Sequence, residues 1–424
     1  VAINEKGTDI EMLSAVFSGF YGEGTEITAK NGVSLDETSS VTIETDMMNK
    51  LAGDINIVRK NGLPGQGAYM TIRGINSINA DAQPLVILDG NILDMQYDRT
   101  ALHEGYFNNV LAGLDPEIVD KVEVIKNGTA IYGAKGANGV VIITTKRGMQ
   151  GRANITYDGY EGVQVPVNVM KLADREQYVD MLNEANAAIA GYEPKDPSQF
   201  PATQDWYSAL LRNAFTQNHS LDVSGATDKT NYSMGLSYFT QDGILDADNS
   251  YERLNFRTRV DQTVTSWLDV GVNVLLSRYT RSSSDTNAFF QAFVNPPVYN
   301  IYNDSNKVAY PEKFDSPQLY GFGNSYANPY AVARYNENSE KGTNLVFSTY
   351  AQLSLLDGKL KMKTSYNLDM QSYRTQGYVP EYFVGGSQGV SVSTLTKIYG
   401  LSDSHIIDNT ITYTDLIGRH SFSV

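Results

Sequence analysis

Leu360-Lys361-Met362-Lys363-Thr364-Ser365-Tyr366-Asn367-Leu368-Asp369-Met370 is the stretch whose reading decides the fold. Leu360, Met362, Tyr366, Leu368 and Met370 fall on one side of a period of two, and Lys361, Lys363, Ser365, Asn367 and Asp369 on the other. Successive side chains of an extended chain point to opposite faces, so this segment is a strand with one apolar and one polar face. The pattern recurs upstream. In Leu254–Val260, Leu254, Phe256 and Val260 oppose Asn255, Arg257 and Arg259. In Leu268–Ser277, Leu268, Val270, Val272, Val274 and Leu276 oppose Asp269, Gly271, Asn273 and Ser277, with Leu275 the exception. In Asn154–Val165, Ile155, Tyr157, Val163 and Val165 oppose Thr156, Asp158 and Tyr160.

The connections alternate between long and short. Long ones are expected over Pro166 to about Phe215, with a helical pattern at Arg175–Ala188, and over Arg281 to about Gly342. Medium loops cover Asp242–Ser250 and Gly377–Thr396. Short turns are expected at Thr227–Thr230, Thr265-Ser266, Asp357-Gly358 and Leu416–Arg419, Asp-Gly being a strong hairpin signal. About nine strands with long loops on one side and tight turns on the other form the pattern of a bacterial outer-membrane barrel. A soluble β-sandwich or propeller is the competing architecture. Three features favour the barrel: several strands long enough to cross a bilayer at a tilt, a broad apolar face opposite Arg, Lys, Asp and Asn, and aromatics near strand ends (Trp267, Tyr279, Tyr350, Tyr366, Tyr413) where an interfacial girdle is expected.

Before about residue 150 the chain reads differently. Short apolar runs, Leu85-Val86-Ile87-Leu88 and Val140-Val141-Ile142-Ile143, are bounded by Asp89-Gly90 and Asn138-Gly139. Asp115 followed by Pro116 predicts a helix over Asp115–Asp120. The expected organisation is an α+β domain over 1–150, then an antiparallel membrane β-barrel portion over 151–424.

Composition narrows the function. The 424-residue chain carries a formal charge of −15, which argues against nucleic-acid binding, since phosphates attract basic faces. It holds no cysteine, so disulfides, thiolate metal sites and cysteine nucleophiles are out, and no run of about 18 apolar residues predicts a transmembrane helix. Its four histidines (His103, His219, His405, His420) show no helical ligand spacing, and neither a nucleophile elbow nor a P-loop is present. No enzyme, metal or cofactor is expected. No export signal opens the chain, so an exported form is expected to have lost it.

The longest motif runs from Pro64-Gly65-Gln66-Gly67 through Thr71-Ile72-Arg73-Gly74 to Pro84-Leu85-Val86-Ile87-Leu88-Asp89-Gly90. It resumes at Pro116-Glu117-Ile118-Val119-Asp120-Lys121-Val122-Glu123-Val124-Ile125-Lys126 and ends in Ala130-Ile131-Tyr132-Gly133-Ala134-Lys135-Gly136-Ala137-Asn138-Gly139-Val140-Val141-Ile142-Ile143-Thr144-Thr145-Lys146. This order resembles the plug of TonB-dependent outer-membrane transporters, and more narrowly the SusC/RagA branch, strongly over about residues 45–150. The segment Val124–Ala130 departs from the family wording: it is one residue shorter, with Asn127 where an aspartate is expected. No clear TonB-box segment lies near Val1.

The resemblance implies TonB-dependent import of a large nutrient, an oligosaccharide or a peptide, across the outer membrane. It implies a SusD-like surface lipoprotein as lid, TonB with its inner-membrane motor as partner, contact with outer-membrane lipid, and a dimer of transporter–lid pairs. The long loops are expected to be structured and to meet the lid. Barrels of the family have about 22 strands, so nine would leave edge groups unpaired in lipid, and the chain is expected to be the N-terminal part of a longer one.

Plug loops face the substrate in the family, so Asn76, Asn79, Asp81, Tyr97 and Tyr106 are candidate substrate contacts. Arg73, Gly74, Asp89, Gly90, Tyr132, Gly133, Gly136, Asn138 and Gly139 are expected to serve plug structure and gating. The glycines allow positive φ or close approach. Arg73 is expected either to clamp a barrel-wall carboxylate as a releasable lock or to hold a local loop. Asp89-Gly90 is expected to be a turn. A siderophore or vitamin importer is the alternative within the class, and a signalling receptor would need a further N-terminal domain. A soluble or surface β-rich glycan-binding or adhesive protein is the rival from another class.

Overall fold

The computed structural model describes residues 2–3, 10–11, 33–34, 42–59, 62–77, 81–95, 110–417 and 420–424. Among the described residues the N-terminal part holds nine short strands: β1 (Ala2–Ile3), β2 (Ile10–Glu11), β3 (Val33–Ser34), β4 (Asn56–Val58), β5 (Tyr69–Thr71), β6 (Leu85–Leu88), β7 (Asn91–Ile92), β8 (Val119–Ile125) and β9 (Val140–Thr145). Five of them form a mixed sheet in the order β3-β8-β9-β6-β7. Its centre is the parallel pair β6–β9, in register from Leu85↔Val140 to Leu88↔Ile143. These are the two apolar runs that the sequence singles out. Central parallel strands are covered on both faces, which is why they read as unbroken apolar runs. Helix α1 (Ile43–Lys50) packs Ile43 and Met47, both fully buried, into the same core as Val86, Val122 and Val141, and a one-turn helix α2 (Thr129–Tyr132) lies between β8 and β9.

The helix expected at Asp115–Asp120 is a correction. Asp115 does cap a turn, accepting from the Glu117 amide, but the turn is a single 3-10 segment, Pro116–Ile118. The chain enters β8 at Val119, because Val119, Val122 and Val124 all bury in the sheet, a register shift between Val119 and Lys121 bringing Val119 inward with the other two.

From Gly151 a nine-stranded antiparallel sheet takes over: β10 (Gly151–Gln164), β11 (Ala214–Ala226), β12 (Thr230–Asp242), β13 (Ser250–Thr265), β14 (Leu268–Ser283), β15 (Glu337–Leu355), β16 (Leu360–Val379), β19 (Thr394–Ile417) and β20 (His420–Ser423). Neighbours in sequence pair directly, except that a small hairpin, β17 (Tyr382–Gly385) and β18 (Gln388–Val390), interrupts between β16 and β19. The strands run further than the sequence suggests: β14 continues to Ser283 and β15 begins at Glu337, so the longest loop is shorter than Arg281–Gly342. At the Asp357-Gly358 turn, Leu356 (φ 54°), Asp357 (φ 57°) and Gly358 (φ 84°) all take left-handed backbone, as tight antiparallel connections require.

Burial is inverted relative to a water-soluble sheet. Along β13, Leu254 (46% exposed) and Val260 (40%) face out, while Arg253 (2%), Asn255 (4%) and Arg257 (3%) are buried. On neighbouring strands Met234, Leu236, Val272 and Ile155 are exposed, and Ser233, Ser237, Ser277 and Asn273 are buried. A sheet with its apolar face outward and its polar face inward suits lipid outside and a polar lumen inside. No helix among the described residues is long and apolar enough to cross a membrane, which says nothing of crossing by strands. The aromatic girdle needs correcting. Tyr279 and Tyr350 face inward, bonding Glu340 and Asp261, while Tyr366 and Tyr413 sit on the outward side and Trp267 lies in a turn.

The long connections fold into a cap on the side opposite the tight turns. Helices α3 (Arg175–Asn186), α4 (Trp206–Leu210), α5 (Asn287–Val294) and α6 (Pro329–Tyr335) come from two of them. Helix α3 lies where the sequence puts it, with Asp174 and Gln177 making a reciprocal capping box. Trp206, fully buried, packs at a tilt against Tyr299 with ring centroids 4.8 Å apart and donates Nε1 to Pro296 O, tying the two long loops together. Asp315, also fully buried, accepts from the Asn300 and Ser316 amides, Asn303 Nδ2 and Tyr320 Oη. The β17–β18 hairpin joins through Tyr382, which stacks on Tyr335 at 4.3 Å. The loops are therefore structured, as their Tyr- and Pro-rich sequence suggests.

Two predictions follow from this arrangement. Val272→Arg, on the outward face, should lower folding stability in vesicles by about 2–4 kcal/mol, and Thr240→Arg near the strand top by about 1 kcal/mol or less. Urea titration of the heat-resistant folded band on gels measures both, and equal costs would refute a lipid-facing surface. In the cap, burial and then the bonded Asp246 carboxylate push Tyr330 up to about 12, and burial pushes Tyr335 to about 12. A phenol raised in the folded state stabilises below its ordinary pKa, so the cap should hold constant stability up to about pH 10 and lose it as pH rises through 12. Tyrosinate absorbance during alkaline titration should show a late-ionising group that Tyr330→Phe removes.

Candidate functional site

Inward residues of β13 and β14 meet the N-terminal domain across a buried seam. The sequence sets it up by alternation: Tyr251, Arg253, Asn255, Arg257 and Arg259 share the inward face of β13. Arg253 donates Nη1 to Ala112 O (3.0 Å) and Leu114 O (2.9 Å), with Nη2 3.9 Å from Asp115. Both charged side chains are essentially inaccessible, at 1% and 0%. The guanidinium lies over the Phe239 ring at 5.0 Å. Tyr251 Oη donates to Ala112 O (3.1 Å) and Ser277 Oγ to Gly113 O (2.9 Å). Arg281 donates to Gly65 O while lying over the rings of Tyr251 and Tyr279. Each of these arginines thus sits between wall aromatics and plug backbone carbonyls.

Lower on the wall, Arg257 donates to Lys146 O (2.8 Å) and pairs with Asp222 (2.6 Å). Asp89 is the central acceptor there. It takes the Thr145 amide (2.9 Å), Thr145 Oγ1 (2.6 Å) and Asn273 Nδ2 (3.1 Å), and Arg259 Nη1 lies 3.6 Å away. Further round, Asp369 accepts the Asp94 amide (2.7 Å) and Gln371 donates to Asp94 O (2.6 Å). Leu275, the exception to the alternation, points inward with Val346 and joins the plug's own core. It is the apolar footprint of the plug on the wall.

The sequence-named residues divide. Asp89 (φ 48°) and Gly90 (φ 88°) make the two-residue turn between β6 and β7, as expected, and Asp89 also docks on the wall. Arg73 does not clamp the wall: it is exposed, and Nη1 donates to Asn127 Oδ1 (2.9 Å) of the plug itself. The charges are the reverse of that expectation, with arginines on the wall and acceptors on the plug. Asn76, Asp81 and Asn138 come together. Asn76 Nδ2 donates to Asn138 Oδ1 (2.6 Å), Asn138 Nδ2 to Asp81 O (2.8 Å), and Asp81 Oδ1 accepts the Gln83 amide (3.1 Å). Asn79, Tyr97 and Tyr106 lie outside the described residues. Gly74 and Gly133 have positive φ and Tyr132 is half-buried nearby. Gly139 is the tightest requirement: φ is 90° and a Cβ would lie 2.7 Å from Ile72 Cδ1. Gly136 has ordinary φ but a Cβ there would lie 2.8 Å from the Gly128 carbonyl.

Sequence reasoning missed Gly65, Tyr251, Arg253 and Arg281. Gly65 (φ 64°) would drive a Cβ to 2.3 Å from the Tyr251 ring. Three arginines of one parity on one strand, Arg253, Arg257 and Arg259, were the available signal. A hollow of about 410 Å³ lies where the cap meets the strand tops, lined by Asp248, Glu312, Arg334, Tyr335 and Tyr378; its arginine is already paired with Glu312 at 3.1 Å. Among the described residues no cluster of His, Asp and Glu is arranged to hold a metal ion.

Comparison with known proteins agrees with this geometry. Residues 29–140 match the TonB-dependent Receptor Plug Domain. TonB-dependent receptor P3 of Formosa agariphila is 26% identical over 398 residues, covering 91% of this chain and 36% of the relative. TonB-dependent receptor SusC of Bacteroides thetaiotaomicron is 29% identical over 225 residues, half of this chain and 21% of that protein. Among solved structures, the RagAB peptide importer in its open-open state superposes with a TM-score of 0.74 at 22% identity, over 95% of this chain and 47% of that one. The chain thus spans about a third of the length of the curated relatives it matches almost throughout.

If the wall arginines hold the plug, removing one should loosen it. Arg253→Ala leaves Asp115 buried beside a Leu114 carbonyl that has lost its donor, with Ala112 O keeping Tyr251 Oη, and should cost on the order of 3 kcal/mol of docking stability. Hydrogen exchange should rise at residues 110–118 with the barrel strands unchanged, and ion leak through planar bilayers should increase. Unaltered exchange at 110–118 would show that Arg253 is not a clamp.

Proposed function

We propose that this chain, which is of the SusC/RagA type of TonB-dependent receptor and sits in the bacterial outer membrane, carries the plug and leading barrel strands of an energy-coupled importer. In this reading residues 1–150 are the plug and 151–424 the N-terminal part of the barrel. One observation carries the proposal: an outward-apolar sheet whose polar inner face is bonded to a separately folded domain by side chain-to-carbonyl contacts. Such a domain blocks a pore and can be withdrawn, because water can replace each polar contact as it breaks.

The cargo is a large nutrient, an oligosaccharide or a peptide, captured between the plug, the cap and a SusD-like lipoprotein lid. TonB, driven by its inner-membrane motor, pulls the plug from the periplasmic side. Transporter–lid pairs associate as dimers. Asn76 and Asp81, on the exposed plug network, are the described candidates for contact with cargo, together with Asn79, Tyr97 and Tyr106. The chain performs no covalent chemistry in this scheme. The relatives named above are called receptors and an importer.

Extraction of native outer membranes in mild detergent, followed by affinity capture of this protein and mass spectrometry, tests the reading. A stoichiometric SusD-like lipoprotein is expected, and neighbouring degradative enzymes should point to the cargo class. A species that stays soluble without detergent and brings no lipoprotein would favour a soluble β-rich binding protein instead.

A further inference from the structure

The outward face of the sheet changes character above its apolar band. On β14 the outward residues are Leu268, Val270, Val272, Val274 and Leu276, and the next is Arg278. On β15 the band ends at Leu345, followed by Thr343 and then Lys341. On β16 it ends at Met370, followed by Ser372 and Arg374. Their outward direction is fixed by neighbours of opposite parity. Arg281, Glu340 and Gln371 face inward, onto Gly65, Tyr279 and Asp94 respectively.

The strand register sets these cations side by side. Lys341 is directly opposite Arg374 on the same face, and Arg278 is opposite Thr343, one outward position below Lys341. Arg374 is in turn opposite Tyr399, and Lys397 is opposite Gln376, one outward position above. Three successive outward rows on β13–β16 and β19 hold four cations and one carboxylate, Glu252. In a chain of net charge −15 this is a local reversal of sign. The four cations are exposed, and among the described residues none forms an ion pair. Arg374 is held over the Tyr399 ring at 5.4 Å.

A direct cross-strand pair of like charges destabilises a sheet, so Lys341 opposite Arg374 needs an anion to offset the repulsion. The position selects which anion. Directly above an apolar band, beside an outward tyrosine, lies the headgroup level of the outer leaflet. A guanidinium there binds phosphate through paired N–H donors, and an ammonium adds a point charge.

We propose that Arg278, Lys341, Arg374 and Lys397 form a site on the outer wall of the barrel for the phosphorylated headgroup of an outer-leaflet glycolipid. The site binds membrane lipid rather than cargo, so it rests on the outer-membrane placement of the proposed function and not on what is imported. One or two phosphates bridge Lys341 and Arg374, with Arg278 below and Lys397 above.

The test uses the native transporter purified in neutral detergent and titrated with phosphorylated lipid A, with dephosphorylated lipid A as reference. The native protein should prefer the phosphorylated form, and the preference should weaken with salt. The triple variant Arg278→Gln/Lys341→Gln/Arg374→Gln should bind it at least about tenfold less tightly, while Lys229→Gln, at a turn on the opposite rim, should not change binding. Should the triple variant fail to give the heat-resistant folded band, Lys341→Gln and Arg374→Gln are read singly, each expected to lose about threefold to fivefold. Equal binding of both lipid forms, or a preference that survives the substitutions, overturns the proposal. Full competition by millimolar inorganic phosphate also overturns it, because the site would then serve a soluble anion.

Discussion

Arg253 is the contact on which the rest of the arrangement depends. Its guanidinium is shut off from solvent between the Phe239 ring and the carbonyls of Ala112 and Leu114. A charge buried this deeply is tolerable only when its donors are matched. The wall supplies aromatic faces and the plug supplies carbonyls, so neither half offers a complete site alone. Arg281, over Tyr251 and Tyr279 and bonded to Gly65, repeats the device higher on the wall. The polar inner face required by an outward-apolar barrel is thereby also the docking face for the plug.

Much of this was legible in the sequence. Period two exposed the barrel strands because their two faces meet opposite solvents, and the short apolar runs exposed β6 and β9 because both of their faces are covered. The Asp-Gly turns announced themselves through backbone that few other residues adopt. What failed to show was partnership across long separations. Arg73 looked like a lock because arginine is a good clamp, yet nothing local distinguishes it from Arg253, which performs that task from a strand well over a hundred residues away. Tyr279 and Tyr350 looked like girdle residues because they lie near strand ends; their parity, set by the neighbours they pair with, turns them inward. Leu275 is the instructive case. It broke the alternation, and the break marked where the plug's apolar core touches the wall.

Of the candidate plug residues, Asn138 and Asp81 explain themselves as architecture. Asn138 bridges the Asn76 loop to the Asp81–Gln83 segment, and Asp81 fixes its own turn. Gly139 beside them has no room for a side chain against Ile72 and Ile125. The compound motif is therefore mostly a packing specification. Its polar letters stitch loops, its glycines permit close approach, and the Asp89 carboxylate reaches across to the wall arginine row, where the Gly65 and Lys146 carbonyls also dock.

The chemistry of the seam also bears on how a plug can be both tight and removable. An apolar seam would have to be torn open against about 25 cal/mol for every Å² re-exposed to water, with nothing in the pore to offset it. The observed seam has a small apolar footprint, Leu275 and Val346, and is otherwise built of hydrogen bonds and charged contacts. Each such bond contributes only about 0.5–1.5 kcal/mol net, because water replaces it once the groups separate. Under the proposed import, force applied at one end of the plug would break contacts one after another, each rehydrated before the next one yields. Buried arginines add the exception: until water reaches them they resist strongly, and once it does they cost little. A seam of this composition holds against thermal motion and gives way to a directed pull.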